Sequence, residues 1–399
     1  MGSMITLGIG KLEIDWGKNN FFTNHSKLFL PSEDVCEIPY YYADNVVEYK
    51  EGLSRPLKGI KRRLELLGYP LHSLRSLYDA HLSSVPDYYP DVPVTFDEFY
   101  QVISSLDVNN IDINENDHDY DLGEFLSRYL FRDPEFNRVT NLKEIVNRDI
   151  GTTFENMDPY LTLRILMENP KNLDLNVYWA FSDAVEGGWV EREGLFSPLD
   201  DSDKILIVTE GSSDAFILDQ ALEILAKDIS DFFYFVDMEE HYPFTGTGNL
   251  YRFCQGLVSI RIQNKVLVVY DNDVAGVHKY SLSKKLPLPK NMHVARLPDY
   301  QGFRNFETLG PNGRSREDIN GAAVAIECFL DHSYKTKTTP CVRWTSYDSI
   351  TQTYQGELID KDSYVKRFKQ ARSKDGGYDF GKLRYLIDHL YNEWVQNSS

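Results

Sequence analysis

Short apolar segments alternate with amphipathic segments between Asp203 and Asp331. Four apolar, β-branched runs predict strands, and the segments between them carry apolar residues at helical spacing. In chain order the strands are KILIVT, FFYFV, KVLVVY and HVARL, and the helices are SDAFILDQALEILAK, GNLYRFCQGLVSI and VAGVHKYSLSKK. Near-continuous apolar strands joined by helices are typical of a parallel sheet buried on both faces, with right-handed crossovers. We therefore predict an α/β fold with a four-stranded parallel sheet flanked by helices.

The segments on either side have different patterns. Residues 1–199 begin with the strand-like ITLGIGKLEIDW and continue through the helical patterns PLKGIKRRLELLG and LHSLRSLYDAHL, which predicts an α+β N-terminal domain. Residues 335–399 predict a hairpin, VRWTSYDSITQTYQGELI, and a C-terminal amphipathic helix through DFGKLRYLIDHLYNEW. We expect an N-terminal domain at 1–199, the α/β domain at 203–331 and a small C-terminal appendage at 335–399.

Composition limits the classes of protein that fit. The 399 residues include 42 Lys and Arg against 61 Asp and Glu, a net charge of −19, which argues against binding nucleic acid or anionic membrane over the general surface. A local basic groove stays compatible with this balance. The start of the chain has no basic leader before an apolar run, and no stretch approaches about 18 apolar residues, so we expect a soluble, cytoplasmic protein without a membrane partner. The four cysteines form no CxxC pair, which fits neither a structural zinc site nor a disulfide framework.

Acidic residues stand where the predicted strands end. Glu210 ends the first strand and Asp214 follows in the first turn of the next helix, while Asp271 and Asp273 end the third strand. In parallel α/β sheets such ends meet at one crevice, where clustered carboxylates repel one another unless a divalent cation neutralises them. Oxygen ligands suit Mg²⁺, with Mn²⁺ as the alternative, so the spacing predicts a metal site. The competing interpretation is that these acids cap helices or lie in exposed turns.

The motifs E-G-x-x-D at 210–214 and D-x-D-x-A-G at 271–276 resemble the Toprim domain of bacterial primases, topoisomerases and OLD-type nucleases. The resemblance covers residues 203–331. It implies a Rossmann-like Toprim fold, with Glu210 as acid/base or metal ligand and with Asp271 and Asp273 holding Mg²⁺. Asp214 occupies the second acidic position of the first motif. Gly276 is expected to permit close helix packing because it lacks a Cβ atom.

Two further acids have alternative interpretations. Glu327, in EDINGAAVAIECFL, resembles the late Glu of OLD-type nucleases, which lies on a helix beyond the last strand and completes the metal site. The alternative is a solvated Glu on an amphipathic helix. Asp237, at the end of the second predicted strand, either flanks the site or caps a turn.

Among Toprim enzymes a nuclease fits best. The chain has no CxxC pair, so nothing indicates the zinc-binding module of a primase. It has 26 tyrosines, and the sequence does not single out one of them as the nucleophile of a topoisomerase. The expected reaction is metal-assisted phosphodiester hydrolysis by an endonuclease. The start of the chain, ITLGIGKLEIDWGKN, resembles the region ahead of Toprim and HEPN effector domains in bacterial conflict systems, which implies a toxin-like effector of anti-phage defence. Because no GxxxxGK[ST] motif is present, nucleotide-driven control requires another protein, and analogy implies an ATPase sensor in trans.

Two alternative functions stay open. One is a regulatory subunit that an ATPase-containing defence complex controls. The other is a metal-independent HEPN-like ribonuclease, for which Arg75 to His81 and Arg384 to His389 have compatible R-x4-6-H spacings. Such spacings arise easily by chance, so a helix that carries structural or solvated Arg and His residues is the better explanation.

Substrate contacts are expected from clusters of basic residues in the acidic background. The best candidates lie between the last strand and Glu327, followed by a pair at the end of the third predicted helix: Arg304, Arg314 and Arg316, then Lys284 and Lys285. For any single cluster, a solvated helix or loop face is the better explanation. The choice between DNA and RNA, including transfer RNA, and the formation of a homo-oligomer are open at the level of sequence.

Overall fold

The computed structural model describes residues 3–42, 46–84, 94–110, 122, 154–196, 199–236, 246–349, 351–371 and 377–398. Asp237 lies outside these ranges. The chain divides into two compact units, an N-terminal unit at 1–198 and a C-terminal unit at 199–399. None of the described helices is both long enough and apolar enough to cross a membrane.

The N-terminal unit is built on a five-stranded antiparallel sheet in the order β2-β1-β5-β4-β3. Its strands are β1 (Met4–Ile9), β2 (Leu12–Lys18), β3 (Val35–Tyr42), β4 (Val46–Pro56) and β5 (Asn176–Ala180). Its helices are α1 (Pro31–Asp34), α2 (Leu57–Leu66), α3 (Leu74–Ser84), α4 (Phe96–Ser105), α5 (Pro159–Leu166), α6 (Ser182–Glu186) and α7 (Arg192–Leu195). This confirms the predicted α+β class.

The strand-like start of the chain is a hairpin of two strands. Gly10 has φ 59°, a left-handed conformation that glycine adopts without steric cost, and it lies between β1 and β2. Alternate residues of both strands, such as Leu7, Ile9, Leu12 and Ile14, are buried in one apolar core. The alternation of buried and exposed residues that marks a strand therefore continues through the turn. For this reason the apolar pattern alone does not show that a turn divides the segment into two strands.

The C-terminal unit contains the predicted four-stranded parallel sheet, in the order β10-β8-β6-β7. The strands in this part of the chain are β6 (Ile205–Val208), β7 (Phe233–Phe235), β8 (Lys265–Tyr270), the short β9 (Asn272–Asp273) and β10 (Met292–Arg296). The flanking helices are α8 (Ser212–Leu225), α9 (Thr247–Ser259) and α10 (Val274–Ser283). Four consecutive residues of β8, Val266–Val269, are buried, as expected for a strand covered on both faces. The predicted α/β fold is confirmed.

The strand order reverses between β6 and β8. From β6 the chain adds β7 on one side and then returns to add β8 and β10 on the other. Ligands of open α/β sheets bind at such a reversal, outside the carboxyl ends of the strands. Glu210 follows β6 by two residues and Asp271 directly follows β8, so both acids stand at this position.

The remaining elements complete the C-terminal unit. A second sheet has the order β12-β11-β14-β15, and β13 pairs with β9. These elements are β11 (Phe306–Gly310), β12 (Gly313–Glu317), β13 (Ala323–Val324), β14 (Val342–Asp348), β15 (Thr353–Leu358), α11 (Lys361–Gln370) and α12 (Gly381–Asn397). The predicted hairpin is β14 with β15, and the predicted final helix is α12. Helix α12 buries Leu386, Leu390 and Trp394 and contacts α8 and β10, so the segment after residue 335 packs onto the parallel sheet.

Candidate active site

The Glu210 carboxylate is held at the end of β6 by two donors. The Thr247 hydroxyl donates a 2.6 Å hydrogen bond to Oε2, and the Asp271 backbone N–H donates a 3.3 Å bond to Oε1. The Gly246 N–H also donates to the Glu210 carbonyl oxygen, at 3.0 Å. These bonds connect the ends of β6 and β8 with the start of α9 and fix where the carboxylate lies.

Asp214 and Asp273 both stabilise the start of a helix. Asp214 Oδ2 accepts a 3.0 Å bond from the Gly211 N–H at the start of α8, and Asp273 Oδ1 accepts a 2.7 Å bond from the Gly276 N–H at the start of α10. These are the capping contacts that the competing interpretation expects. Capping and a role in a site are compatible here, because each contact uses one oxygen and fixes the carboxylate at the edge of the crevice.

Glu327 reaches the same place by a different local structure from the one expected. The segment forms β13 and then a 3₁₀ helix, Ile326–Phe329, in place of an amphipathic helix. Pairing of β13 with β9 sets Ala323 opposite Asp273 and so brings the following turn to the acids. Glu327 is 3% exposed, with Oε1 at 3.5 Å from the Ser213 hydroxyl. The alternative of a solvated Glu is therefore wrong.

Neighbouring carboxylates raise the pKa values of Glu210, Asp214 and Asp271, so these acids lie close to one another. Burial and then the charges of four neighbours hold the pKa of Asp271 well above its usual range, the neighbours being Asp214, Glu210, Asp273 and Glu327. Burial, followed by the charges of Glu327 and Glu210, raises the pKa of Asp214 to about 7. The pKa values of Glu210 and Asp273 are also raised, mainly by burial. Repulsion among clustered carboxylates is the kind of electrostatic strain that a bound divalent cation would neutralise.

The donor set fits a hard divalent cation by its chemistry. It consists of carboxylate oxygens alone, which Mg²⁺ and Mn²⁺ prefer, and within the described ranges no side chain donates a hydrogen bond to the Asp271 carboxylate. Among the residues that the structure describes, however, no group of three or more His, Cys, Asp or Glu side chains has its ligand atoms close enough together to hold a metal ion. The acids are therefore close enough to interact electrostatically, but within the described residues they do not form a closed coordination shell.

Three side chains that bond or electrostatically influence the acids were missed by the sequence patterns. Thr247 bonds Glu210, Gln355 bonds Asp273, and the charge of Lys361 at the start of α11 lowers the pKa of Asp214. Thr247 follows a glycine at the start of a predicted helix, a signal that could have suggested a site residue. Gln355 and Lys361 belong to the C-terminal segment, and no local pattern connects them with the acids.

The predicted substrate-binding residues are distributed over the surface. Arg314 and Arg316 lie on the exposed strand β12, where Arg314 pairs with Glu307, and Arg304 is exposed just before β11. Lys284 and Lys285 follow the last turn of α10, a helix of 10 residues that begins next to Asp273, so they lie about 15 Å along the helix from that acid. A substrate role for these residues stays a prediction.

The residues of the two R-x4-6-H spacings make structural contacts. On α3, Arg75 pairs with Asp97, and His81 Nε2 lies 2.9 Å from a backbone carbonyl oxygen at position 156. On α12, His389 Nε2 lies 3.1 Å from the carbonyl oxygen at position 296, while Arg384 is exposed. These contacts agree with the structural explanation of the spacings.

Comparison with known proteins places the N-terminal region in one family. The family model described as HEPN/Toprim N-terminal domain 1 matches residues 1–203. No curated protein and no solved structure matches the chain.

Proposed function

Because the chain belongs to the HEPN/Toprim N-terminal domain 1 family, we propose that its C-terminal unit is a Toprim-type, divalent-metal-dependent endonuclease. The family confirms the resemblance predicted for the start of the chain, and its description indicates a nuclease-type enzyme. The observation that carries the proposal is the convergence of five carboxylates where the strand order reverses between β6 and β8.

In this proposal Asp214, Asp271, Asp273 and Glu327 hold Mg²⁺ or Mn²⁺ together with Glu210. When bound, such a cation activates water and neutralises charge on the attacking and leaving oxygens of a phosphodiester. Glu210 is the best candidate for acid/base chemistry, because Thr247 and the Asp271 N–H orient its carboxylate and burial raises its pKa above the usual range. Glu327 is buried, so its carboxylate is largely shielded from bulk water.

Cleavage assays test the proposal. The purified protein is incubated with single-stranded DNA, duplex DNA and RNA, in Mg²⁺, in Mn²⁺ and in EDTA. We expect metal-dependent cleavage that falls at least about 100-fold in Glu210→Gln and Asp271→Asn, as for loss of a catalytic electrostatic group. Glu223→Gln, an exposed acid on α8, is the matched control and should keep wild-type activity. Wild-type cleavage by a folded Glu210→Gln protein would remove Glu210 from the mechanism.

EDTA also separates the HEPN-like alternative. A metal-independent ribonuclease would be supported by cleavage that persists in EDTA and is lost when Arg75 and His81 are both substituted, or when Arg384 and His389 are both substituted. Their structural contacts make that outcome the less favoured one.

The biological setting that we propose is bacterial anti-phage defence, with the protein as a toxin-like cytoplasmic effector. This setting is proposed from the resemblance of the start of the chain to the region ahead of effector domains in bacterial conflict systems, and an ATPase partner in trans is proposed by analogy. The test is induced expression with sequencing of cleaved nucleic acids, with and without the neighbouring gene product. Growth arrest with a defined cleavage product supports the effector, and transfer RNA fragments would identify RNA as the substrate. Full activity of the purified chain alone would contradict control by a partner.

A further inference from the structure

A polar cavity of about 440 Å³ lies beside the start of α9. The first two turns of this helix and Lys279 of α10 form its wall, with Gly246, Thr247, Asn249, Tyr251 and Arg252 among the lining residues. Helices α9 and α10 pack side by side, so the cavity is supported by two elements of the α/β fold.

The cavity is positively charged in a strongly acidic protein. Arg252 and Lys279 line it, and none of its described lining residues is Asp or Glu. Within the described ranges neither cation forms an ion pair. The Lys279 Nζ lies 5.0 Å from the centroid of the Tyr251 ring, and this cation–π contact helps to hold the ammonium group at the cavity wall. Two cations that form no ion pair with the described residues, and that have hydroxyl and amide groups beside them, are suited to an anion with several acceptor oxygens.

One wall residue connects the cavity with the carboxylates. Thr247 lines the cavity and its hydroxyl bonds Glu210 Oε2 at 2.6 Å. Gly246, also in the wall, bonds the Glu210 backbone. A phosphate in the cavity is therefore adjacent to the acid cluster, and the N-terminus of α9 adds its favourable dipole to the two cations.

We propose that this cavity binds a backbone phosphate of the nucleic-acid substrate, next to the phosphodiester that is cleaved, with Arg252 and Lys279 as its anion-binding residues. The inference rests on the proposed nuclease function and adds a substrate contact to it. Arg252 and Lys279 are 27 positions apart, and neither belongs to a run of basic residues. The basic clusters identified in the sequence therefore do not include them.

The test measures binding separately from cleavage. A fluorescent 12-nucleotide single strand is titrated with wild type, Arg252→Gln, Lys279→Gln and the double variant, with Ca²⁺ in place of Mg²⁺, at about 50 and 200 mM salt. The control is Arg261→Gln with Lys290→Gln, which removes two exposed cations that do not line the cavity. Thermal unfolding shows that each variant is folded. Inorganic phosphate and adenosine monophosphate serve as competitors.

We expect the double variant to bind the strand at least about 10-fold more weakly at the lower salt, with a salt dependence reduced by about 0.7–1.4 in log–log slope. The control should bind like wild type. Unchanged affinity and slope in the double variant, or absence of binding by wild type, would overturn the inference. Displacement of the labelled strand by inorganic phosphate at millimolar concentration would also overturn the inference, because the cavity would then be a site for free phosphate. Binding that depends on Arg252 and Lys279 without any cleavage would contradict the nuclease proposal alone.

Discussion

Gln355 in β15 donates a hydrogen bond from Nε2 to Oδ2 of Asp273, although 82 positions separate the two residues. The same amide accepts a 3.3 Å bond through Oε1 from the Ala275 N–H in the first turn of α10. Gln355 thus holds both the carboxylate and the start of the helix that carries it. The C-terminal hairpin is in this way part of the environment of the acid cluster.

Replacing Gln355 with Met is expected to lower metal-dependent cleavage about 10-fold, because the Asp273 carboxylate loses a donor that fixes its orientation. Met keeps the length of the side chain, so the free energy of unfolding should change by only about 1 kcal/mol. Steady-state cleavage rates and chemical denaturation measure the two effects. Gln263→Met, at an exposed position, is the control. Equal rates for Gln355→Met and wild type would show that Asp273 does not need this contact.

The sequence was sufficient for the parts of the site that depend on local patterns. Apolar runs located β6 and β8, and their ends located Glu210 and Asp271, because parallel strands end at a common edge. Even the capping contacts of Asp214 and Asp273 follow from their positions at the start of helices.

Contacts made by tertiary pairing could not be predicted in this way. Glu327 enters the cluster because a two-residue strand, Ala323–Val324, pairs with Asn272–Asp273, and so short a strand has no periodic signal. The 3₁₀ turn that carries Glu327 lies in a segment whose apolar pattern predicts a helix. The pattern does not distinguish the two structures, because buried turns and buried helices are both apolar. Gln355 is a polar residue in a hairpin, and only the fold of the second sheet brings it to Asp273.

Asp271→Asn should make the protein more stable without metal. The substitution removes an acid whose ionised form is disfavoured in this buried cluster of carboxylates and conserves its shape, so the melting temperature in EDTA is expected to rise. In Mg²⁺ the order should reverse, because wild type gains stability by binding the ion and the variant loses a ligand. Scanning calorimetry with and without Mg²⁺ measures both changes. A melting temperature of wild type that does not respond to Mg²⁺ or Mn²⁺ would contradict the proposed site.

Gly276→Ala should disrupt the turn between β8 and α10. A Cβ atom at this position would lie 2.2 Å from the Asp271 carbonyl oxygen, so the backbone must shift. We expect a loss of more than about 2 kcal/mol in unfolding free energy, together with a loss of cleavage. Gly256→Ala in α9 is the matched control, since nothing lies within 4 Å of its added Cβ atom and Ala favours a helix by about 1 kcal/mol. If both variants are equally stable, the close approach at Gly276 is not required.

Lys382 is expected to give the C-terminal unit a distinct pH dependence. Burial lowers the pKa of this lysine to about 8, and its ammonium group donates a 2.7 Å bond to the Cys328 carbonyl oxygen. Between pH 8 and its ordinary value of 10.5, the unfolded chain therefore binds more protons at this site than the folded chain. Stability from this group is lowest below pH 8 and rises with pH through that window.

The comparison that isolates this effect is Lys382→Met. The difference in unfolding free energy between wild type and Lys382→Met, measured by urea denaturation at pH 7 to 10, should shift in favour of wild type as the pH increases. Lys366→Met, at an exposed position on α11, should show no such trend. A difference that is constant over this range would mean that Lys382 titrates at its ordinary pKa.

Residues 335–399 should be required for the C-terminal unit to fold. Trp394 of α12 is 3% exposed and lies edge-on to His293 of β10, with ring centroids 4.8 Å apart. Removal of the segment would uncover the face of the parallel sheet that α12 covers. We therefore expect a chain that ends at residue 334 to lose the cooperative unfolding of this unit, and Trp394→Ala alone to cost about 3–5 kcal/mol. Asn392→Ala, at an exposed position on the same helix, is expected to be neutral. Limited proteolysis and calorimetry distinguish this outcome from that of an independent appendage, whose removal would leave the melting of the parallel sheet unchanged.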